Sequence, residues 1–460
     1  MESKTAKDGQ KELILNEKLT KVMWKLSLPA IAAMMLFGLN AFMDTVYIGQ
    51  LLDEVALAGV SLAYPLTSIM MGFGSWAGTG AGNLLSIAIG KGDEEQQSKL
   101  LANTSIMMFI TSLMFAVPAY FFAEELIKIM GGTGEVLVYG VRYFKVSVLS
   151  TPFWVFGLGF NFIVRGEGKM KEAAVMFIYG LAINLILTPV FIYYFGLGVE
   201  GAAWATNIGM LIYTVVGYFY FATGRASFNA NINSLKYDAE VFKQIIKLGF
   251  PGFIMTVMGV VQAVVVFNAI VGVGNEGDLA FFAASNRILL FLMTPLFGLM
   301  RALQPVIGVN YGAENYQRVR SSFILFCKTG FLLVFPFWLA MSLFPQYCLG
   351  LVLPNVVFDA QSLWNFRVYM FMLPFLPFVF NALTFLPAIE QPKYASIVGM
   401  ARQLVFYVPV MLLLPRYIGL SGVYYGTTAI DLVITLWMSV IVYRQMKKLP
   451  NEELAEVSVT

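Results

Sequence analysis

AAVMFIYGLAINLILTPVFIYYF, residues 173–195, runs for 23 positions without a charge. At about 1.5 Å per helical residue it reaches roughly 35 Å, more than a bilayer hydrocarbon core of about 30 Å. Lipid offers no partner to a bare N–H or C=O, so such a segment must pair its own backbone as a helix. Its small polar side chains, Asn184 and Thr188, are four residues apart and therefore share one face. Pro189 follows directly, and proline inside an apolar span marks a bend that neighbouring helices accommodate.

The rest of the 460-residue chain reads the same way. Hydrophobic residues make up 58% and charged residues 12%, too few charges for a soluble surface, which needs about a quarter. Apolar runs between polar breaks place twelve spans near 25–50, 55–88, 100–123, 137–163, 173–195, 201–222, 248–273, 279–309, 321–345, 362–387, 395–414 and 421–443. The fold class is all-α integral membrane. Basic residues gather in alternate loops, among them Lys18, Lys21 and Lys25, then Arg165, Lys169 and Lys171, then Arg318 and Arg320, then Arg444, Lys447 and Lys448. By the positive-inside rule both termini are expected in the cytoplasm. Residues 1–21 are polar and lack the short apolar core of a secretory signal, so the first span is expected to serve as its own insertion signal.

An internal repeat with an offset near 221 organises these spans. Lys25-Leu-Ser-Leu-Pro29 returns as Lys247-Leu-Gly-Phe-Pro251, Gly201-Ala-Ala-Trp-Ala-Thr206 as Gly422-Val-Tyr-Tyr-Gly-Thr427, and Pro189 as Pro409. Shared apolar composition does not produce matches in register at both ends of each half. Each half holds six spans, an even number, so the halves are parallel repeats whose interface is the natural substrate path. The predicted boundaries are 1–222 and 248–443 for the lobes, 223–247 for a hinge-like polar linker carrying Asn229, Asn231 and Asn233, and 444–460 for a tail.

Several function classes drop out. There is no Walker A sequence, nucleophile motif or metal-ligand spacing, so neither an enzyme nor an ATP-driven pump is expected, and neither a cofactor nor a nucleic-acid partner. Cys327 and Cys348 sit near opposite ends of one span, too far apart for a disulfide. Histidine is absent, so a proton carried at neutral pH must ride on a carboxylate.

Asn40-Ala-Phe-Met-Asp44-Thr-Val-Tyr-Ile-Gly49, Gln304-Pro-Val-Ile-Gly-Val-Asn-Tyr-Gly-Ala313 and the repeated Gly-x-x-(Trp/Tyr)-x-Thr element resemble the multidrug and toxic compound extrusion (MATE) family, nearest its DinF-like and MepA-like branches. The resemblance covers nearly the whole chain. It implies two six-helix lobes in a V, alternating access, and export of amphipathic, often cationic compounds in exchange for protons or sodium. It also implies a multi-pass protein of a prokaryotic plasma membrane, expected to be monomeric, with a small-molecule substrate and the lipid bilayer as partners. The alternative within the superfamily is a lipid-linked precursor flippase, for which Arg287, Arg301, Arg367 and Arg402 of the second half would meet phosphate.

Ionisable residues inside a membrane are costly and are functional candidates by default. Asp44 leads, with Asn40 and Tyr47 on its helix face at i−4 and i+3. Burial disfavours its charged form, which suits a group that takes up a proton on one side and gives it up on the other; the competing reading is a structural hydrogen-bonding role. Asn184 and Thr188 are expected beside it, joined by Thr206. Some relatives carry Asn-x-x-x-Asp-Pro in the fifth span where this chain has Asn184-Leu-Ile-Leu-Thr188-Pro189, and sodium-coupled relatives carry acids in the seventh and tenth spans that residues 251–273 and 364–387 lack. Proton coupling is therefore preferred over sodium. In the repeat, Asp44 maps to Val266, Asn40 to Gln262, Tyr47 to Ala269, Asn184 to Leu404 and Thr188 to Val408, which predicts that the polar stripe is erased in the second lobe and that coupling lives in the first.

Substrate contacts are expected from Asp44, Asn161, Asn184, Gln262, Arg287, Phe37 and Phe153. In the second lobe Asp431 and Arg287 lie at similar depth and are expected to form an ion pair, the alternative being Asp431 as a second proton site. Arg367, near the outer end, reads as a pocket wall or another pair member, and Arg301, Lys328 and Arg402 as side chains that snorkel to the cytoplasmic surface.

Overall fold

The computed structural model describes residues 2–52, 54–230, 236–353 and 356–450. The first half holds α1 (Glu2–Asn16), α2 (Leu19–Leu51), α3 (Glu54–Lys91), α4 (Glu94–Phe121), α5 (Ala123–Ile129), α6 (Gly134–Val148), α7 (Thr151–Gly166), α8 (Met170–Pro189), a π-helical turn at Val190–Tyr194, and α9 (Gly198–Ala222). The second holds α10 (Ala239–Val273), α11 (Glu276–Gly312), α12 (Tyr316–Leu343), α13 (Pro345–Gly350), α14 (Ala360–Met370), α15 (Leu376–Ala388), α16 (Pro392–Met400), a π-helical stretch at Ala401–Tyr407, α17 (Val408–Ile418) and α18 (Ser421–Lys448).

Among the described residues, ten segments are continuous, long and apolar enough to cross a membrane. The fourth expected span is the pair α6 and α7, bent by 51° just before Pro152, which opens α7. The tenth is broken into α14 and α15, with Pro374 in the gap, where a residue without an N–H cannot continue the ladder. With these two, the twelve spans are accounted for in two six-span lobes. An even count returns the chain to the side it started from, so both termini share one face, called here the terminal face.

The lobes meet along α3 against α10, α2 against α11, and α3 against α11. Near the terminal face the backbones touch: a Cβ on Gly249 would lie 1.8 Å from the Trp76 carbonyl oxygen, and one on Gly80 2.0 Å from that of Ile245. Only glycine permits that approach. The Trp76 indole donates to the Ile246 carbonyl at 3.0 Å, fastening the same junction. Away from the terminal face the gap widens. A Cβ on Gly72 is 3.4 Å from Thr256, one on Gly38 is 3.9 Å from Thr294, and one on Gly259 meets nothing within 4 Å. The seam is shut on the terminal face and parts toward the other, the V of an open cleft.

The described parts of the linker are held against the first lobe. Helix α10 begins at Ala239, within the stretch expected to be linker, and the residues before it are strapped to the first lobe. Ala226 and Phe228 are buried in that lobe's core. Glu167 accepts hydrogen bonds from the Ser227 amide at 2.6 Å and hydroxyl at 2.7 Å, and Lys169 donates to the Arg225 carbonyl. Asn103 accepts from the Asp238 amide at 2.9 Å, and Lys99 pairs with Asp238 at 3.1 Å. The described residues on either side of 231–235 are thus held by the first lobe, where apolar side chains and backbone groups find partners. Asn231 and Asn233, and the tail beyond residue 450, lie outside the described residues.

Helix α1 lies across the terminal face. Gln10 donates to the Gly168 carbonyl of the first lobe at 2.8 Å, while Arg318 of the second donates to the Ile14 carbonyl at 3.0 Å. Ile14 is fully buried in a core cluster made mostly of second-lobe residues.

Candidate ion-coupling site

Residues from three helices converge inside the first lobe. Asn40 and Asp44 stand one turn apart on α2, Asn184 and Thr188 one turn apart on α8, and Thr206 faces them from α9. Asn40 donates to Asp44 at 3.2 Å and Thr188 reaches the other carboxylate oxygen at 3.5 Å. Asn184 is the hub, 1% exposed. Both ends of its amide are satisfied when the nitrogen turns toward Asp44, 3.3 Å, and the Asn40 oxygen, 3.0 Å, and its oxygen accepts from the Thr206 hydroxyl at 3.0 Å. The half-buried carboxylate is thus ringed by neutral donors. Among the described residues no lysine or arginine forms an ion pair with it. A buried carboxylate with polar contacts but no fixed counter-charge favours binding a proton or a mobile cation.

The other candidates separate. Tyr47 makes no hydrogen bond in this cluster; Tyr64 and Tyr143 lie within electrostatic reach of Asp44 instead, with no sequence signal to single them out among 22 tyrosines. Asn161 donates to the Ala173 carbonyl at 2.6 Å and lines a different cavity. Phe37 stacks near Phe177, ring centroids 5.6 Å apart, and Phe153 packs against the first-lobe core. Arg287 is exposed on α11, and Arg367 donates to the Ser342 carbonyl at 2.9 Å.

The MatE family model matches residues 29–190 and again 253–413, one copy on each lobe. The chain belongs to the MatE family. It is accordingly a membrane transporter and not an enzyme. Over full length it is similar to proteins named multidrug export protein MepA: 25% identical over 456 residues to that of Staphylococcus haemolyticus, and 26% over 455 to that of Staphylococcus aureus strain MRSA252, covering 98% of this chain and all of each relative. In fold it resembles a MATE crystallised in the bent conformation, with a TM-score of 0.89 at 22% identity over 98% of this chain and 99% of the other. It also resembles an outward-facing multidrug resistance MATE transporter of the MOP superfamily, with a TM-score of 0.86 at 22% identity over 95% and 98%.

The two MatE copies differ at their polar centres, though not as the repeat predicts. The second lobe has its own network. Asp431 pairs with Arg402 at 2.8 Å and 3.1 Å, not with Arg287. Arg402 and Gln403 both donate to Gln262, the repeat mate of Asn40, at 3.1 Å and 2.7 Å. Tyr407 and Thr427, the mate of Thr206, hydrogen-bond at 2.9 Å. The network is rebuilt rather than erased because the π-helical stretch Ala401–Tyr407 shifts the helix phase and turns Arg402 inward instead of letting it snorkel. Where the first lobe leaves an acid without a fixed cation, the second supplies one from its own chain, Arg402.

Proposed function

We propose that this MatE-family transporter exports amphipathic, often cationic compounds in exchange for protons that bind Asp44. It works by alternating access in a prokaryotic plasma membrane, as a monomer with both termini in the cytoplasm. The single observation that carries the coupling assignment is the contrast between the two acids: Asp44 is surrounded by neutral donors, whereas Asp431 is held by Arg402. The names of the full-length relatives support the substrate class. A proton suits a site with one acid. The stretches 251–273 and 364–387, where sodium-coupled relatives carry acids, have none, which favours a proton over sodium. In a cycle of this kind, protonation of Asp44 removes the charge that holds a cationic substrate and frees the seam on the terminal face to part.

The lipid-precursor alternative needs free arginines in the cleft. Of its four candidates, Arg402 is committed to Asp431 and Arg367 to a carbonyl, which weakens that reading. The test is ethidium efflux from inverted vesicles under separately imposed pH and sodium gradients, comparing the wild type with Asp44→Asn. Transport that follows the pH gradient and is lost in Asp44→Asn is expected. Transport that follows only sodium, or an Asn variant that still exports against a gradient at the wild-type rate, overturns the assignment.

A further inference from the structure

Two guanidinium groups from opposite lobes line one small cavity at the seam. Arg165, in the last turn of α7, is 2% exposed, and its Nε, Nη1 and Nη2 are all buried without a hydrogen-bond partner. Its plane lies over the Phe162 ring, 3.7 Å from the centroid, so the ring covers one face of the group. Arg301, on α11, lines the same cavity from across the seam. Asn161, Met170, Phe177 and four alanines make up the remaining wall, which contains no acid. The acid nearest in sequence, Glu167, is taken up by Ser227, Tyr220 and Lys169. Among the described residues neither arginine has an ion pair.

Like charges facing each other in a poorly solvated seam repel, and a buried charge without a partner is strongly unfavourable. An arrangement of this kind calls for an anion. The cavity volume is ≈ 10 Å³, room for one water-sized particle. A space this small between two guanidinium groups favours a small monatomic anion over a phosphate or an organic carboxylate.

We propose that Arg165 and Arg301 hold a chloride-sized anion between the lobes, and that this anion keeps the terminal face shut. Because one arginine comes from each lobe, the site is complete only when the seam is closed. Binding therefore draws the equilibrium toward that state: at a chloride concentration about ten times the dissociation constant, the shift is about tenfold. Without the anion, the same two side chains push the lobes apart.

The experiment follows the melting temperature of the purified protein, and the separation of spin labels across the terminal face, as gluconate is replaced by chloride, bromide or phosphate at constant ionic strength. Chloride and bromide are expected to raise the melting temperature and the population with the short separation, while gluconate and phosphate do neither. Arg165→Gln and Arg301→Gln are expected to abolish the halide response. Arg301 is only half-buried, so its variant keeps the test usable should the Arg165 variant not fold. A wild type indifferent to halide, a halide response unchanged in Arg301→Gln, or phosphate acting as well as chloride would each overturn the proposal.

Discussion

Gly249→Ala should tip this transporter away from the state in which its terminal face is shut. The added methyl would sit 1.8 Å from the Trp76 carbonyl oxygen and 2.9 Å from the Gly80 nitrogen, both backbone atoms that cannot rotate aside. Overpacking of a fitted contact costs about 1–3 kcal/mol. That cost falls only on conformations in which α3 and α10 touch. As an equilibrium factor it is about 5- to 150-fold toward a parted seam. Alanine also improves helix propensity by about 1 kcal/mol, but equally in every state, so that gain cancels. Gly259→Ala, on the same helix with nothing within 4 Å, is the matched control. The assay is the distance distribution between spin labels at Glu94→Cys and Lys393→Cys, exposed positions on the two lobes, with Cys327 and Cys348 replaced by serine. A longer-distance population should appear in Gly249→Ala and not in the control. Identical distributions in the wild type and Gly249→Ala, or equal shifts in both variants, would refute the reasoning.

Removing one member of the Arg402–Asp431 pair should cost about 3 kcal/mol, the low end for a buried pair because both side chains are partly exposed. Thermal unfolding of Asp431→Ala should show this, and Arg402→Met combined with Asp431→Leu should recover most of it. With Asp431 so engaged, exchange of one proton for one monovalent cation moves no net charge, so a membrane potential imposed with potassium and valinomycin should leave efflux unchanged. Burial pushes the Glu167 carboxyl above its ordinary range, against the opposing pull of Lys169 and Ser227. An acid that holds its proton more tightly in the strapped state stabilises that state at low pH, and the contribution is lost as pH rises through the raised value. Hydrogen exchange at the Ser227 amide, corrected for intrinsic rate, should therefore quicken with pH in the wild type and flatten in Glu167→Gln.

The span pattern and the repeat were legible because lipid leaves a chain one way to satisfy its backbone, and because apolar length and parallel lobes are properties of the sequence itself. The Asp44 cluster was legible for a related reason. Asn40 with Asp44 and Asn184 with Thr188 are i, i+4 pairs on regular helix, so their faces follow from counting. Counting failed where the helix was not regular. The partner of Asp431 was misassigned because the π-helical stretch at 401–407 breaks the register on which depth and face depend. The strapping of the linker's described ends was hidden for another reason: polar composition says nothing of single anchors such as Glu167, which lies some 60 residues away in the chain. Arg165 read as an ordinary positive loop residue, since only packing shows that its nitrogens have no partner.

The seat of α1 has a consequence for how the protein is made. Helix α1 leaves the ribosome before either lobe, yet Arg318, which donates to the Ile14 carbonyl, follows 304 residues later. At about 5–20 residues per second, α1 must wait about 15–60 s for its partner. Throughout that interval Ile14 has no second-lobe core to enter, and a helix made ahead of both lobes is among the last to dock.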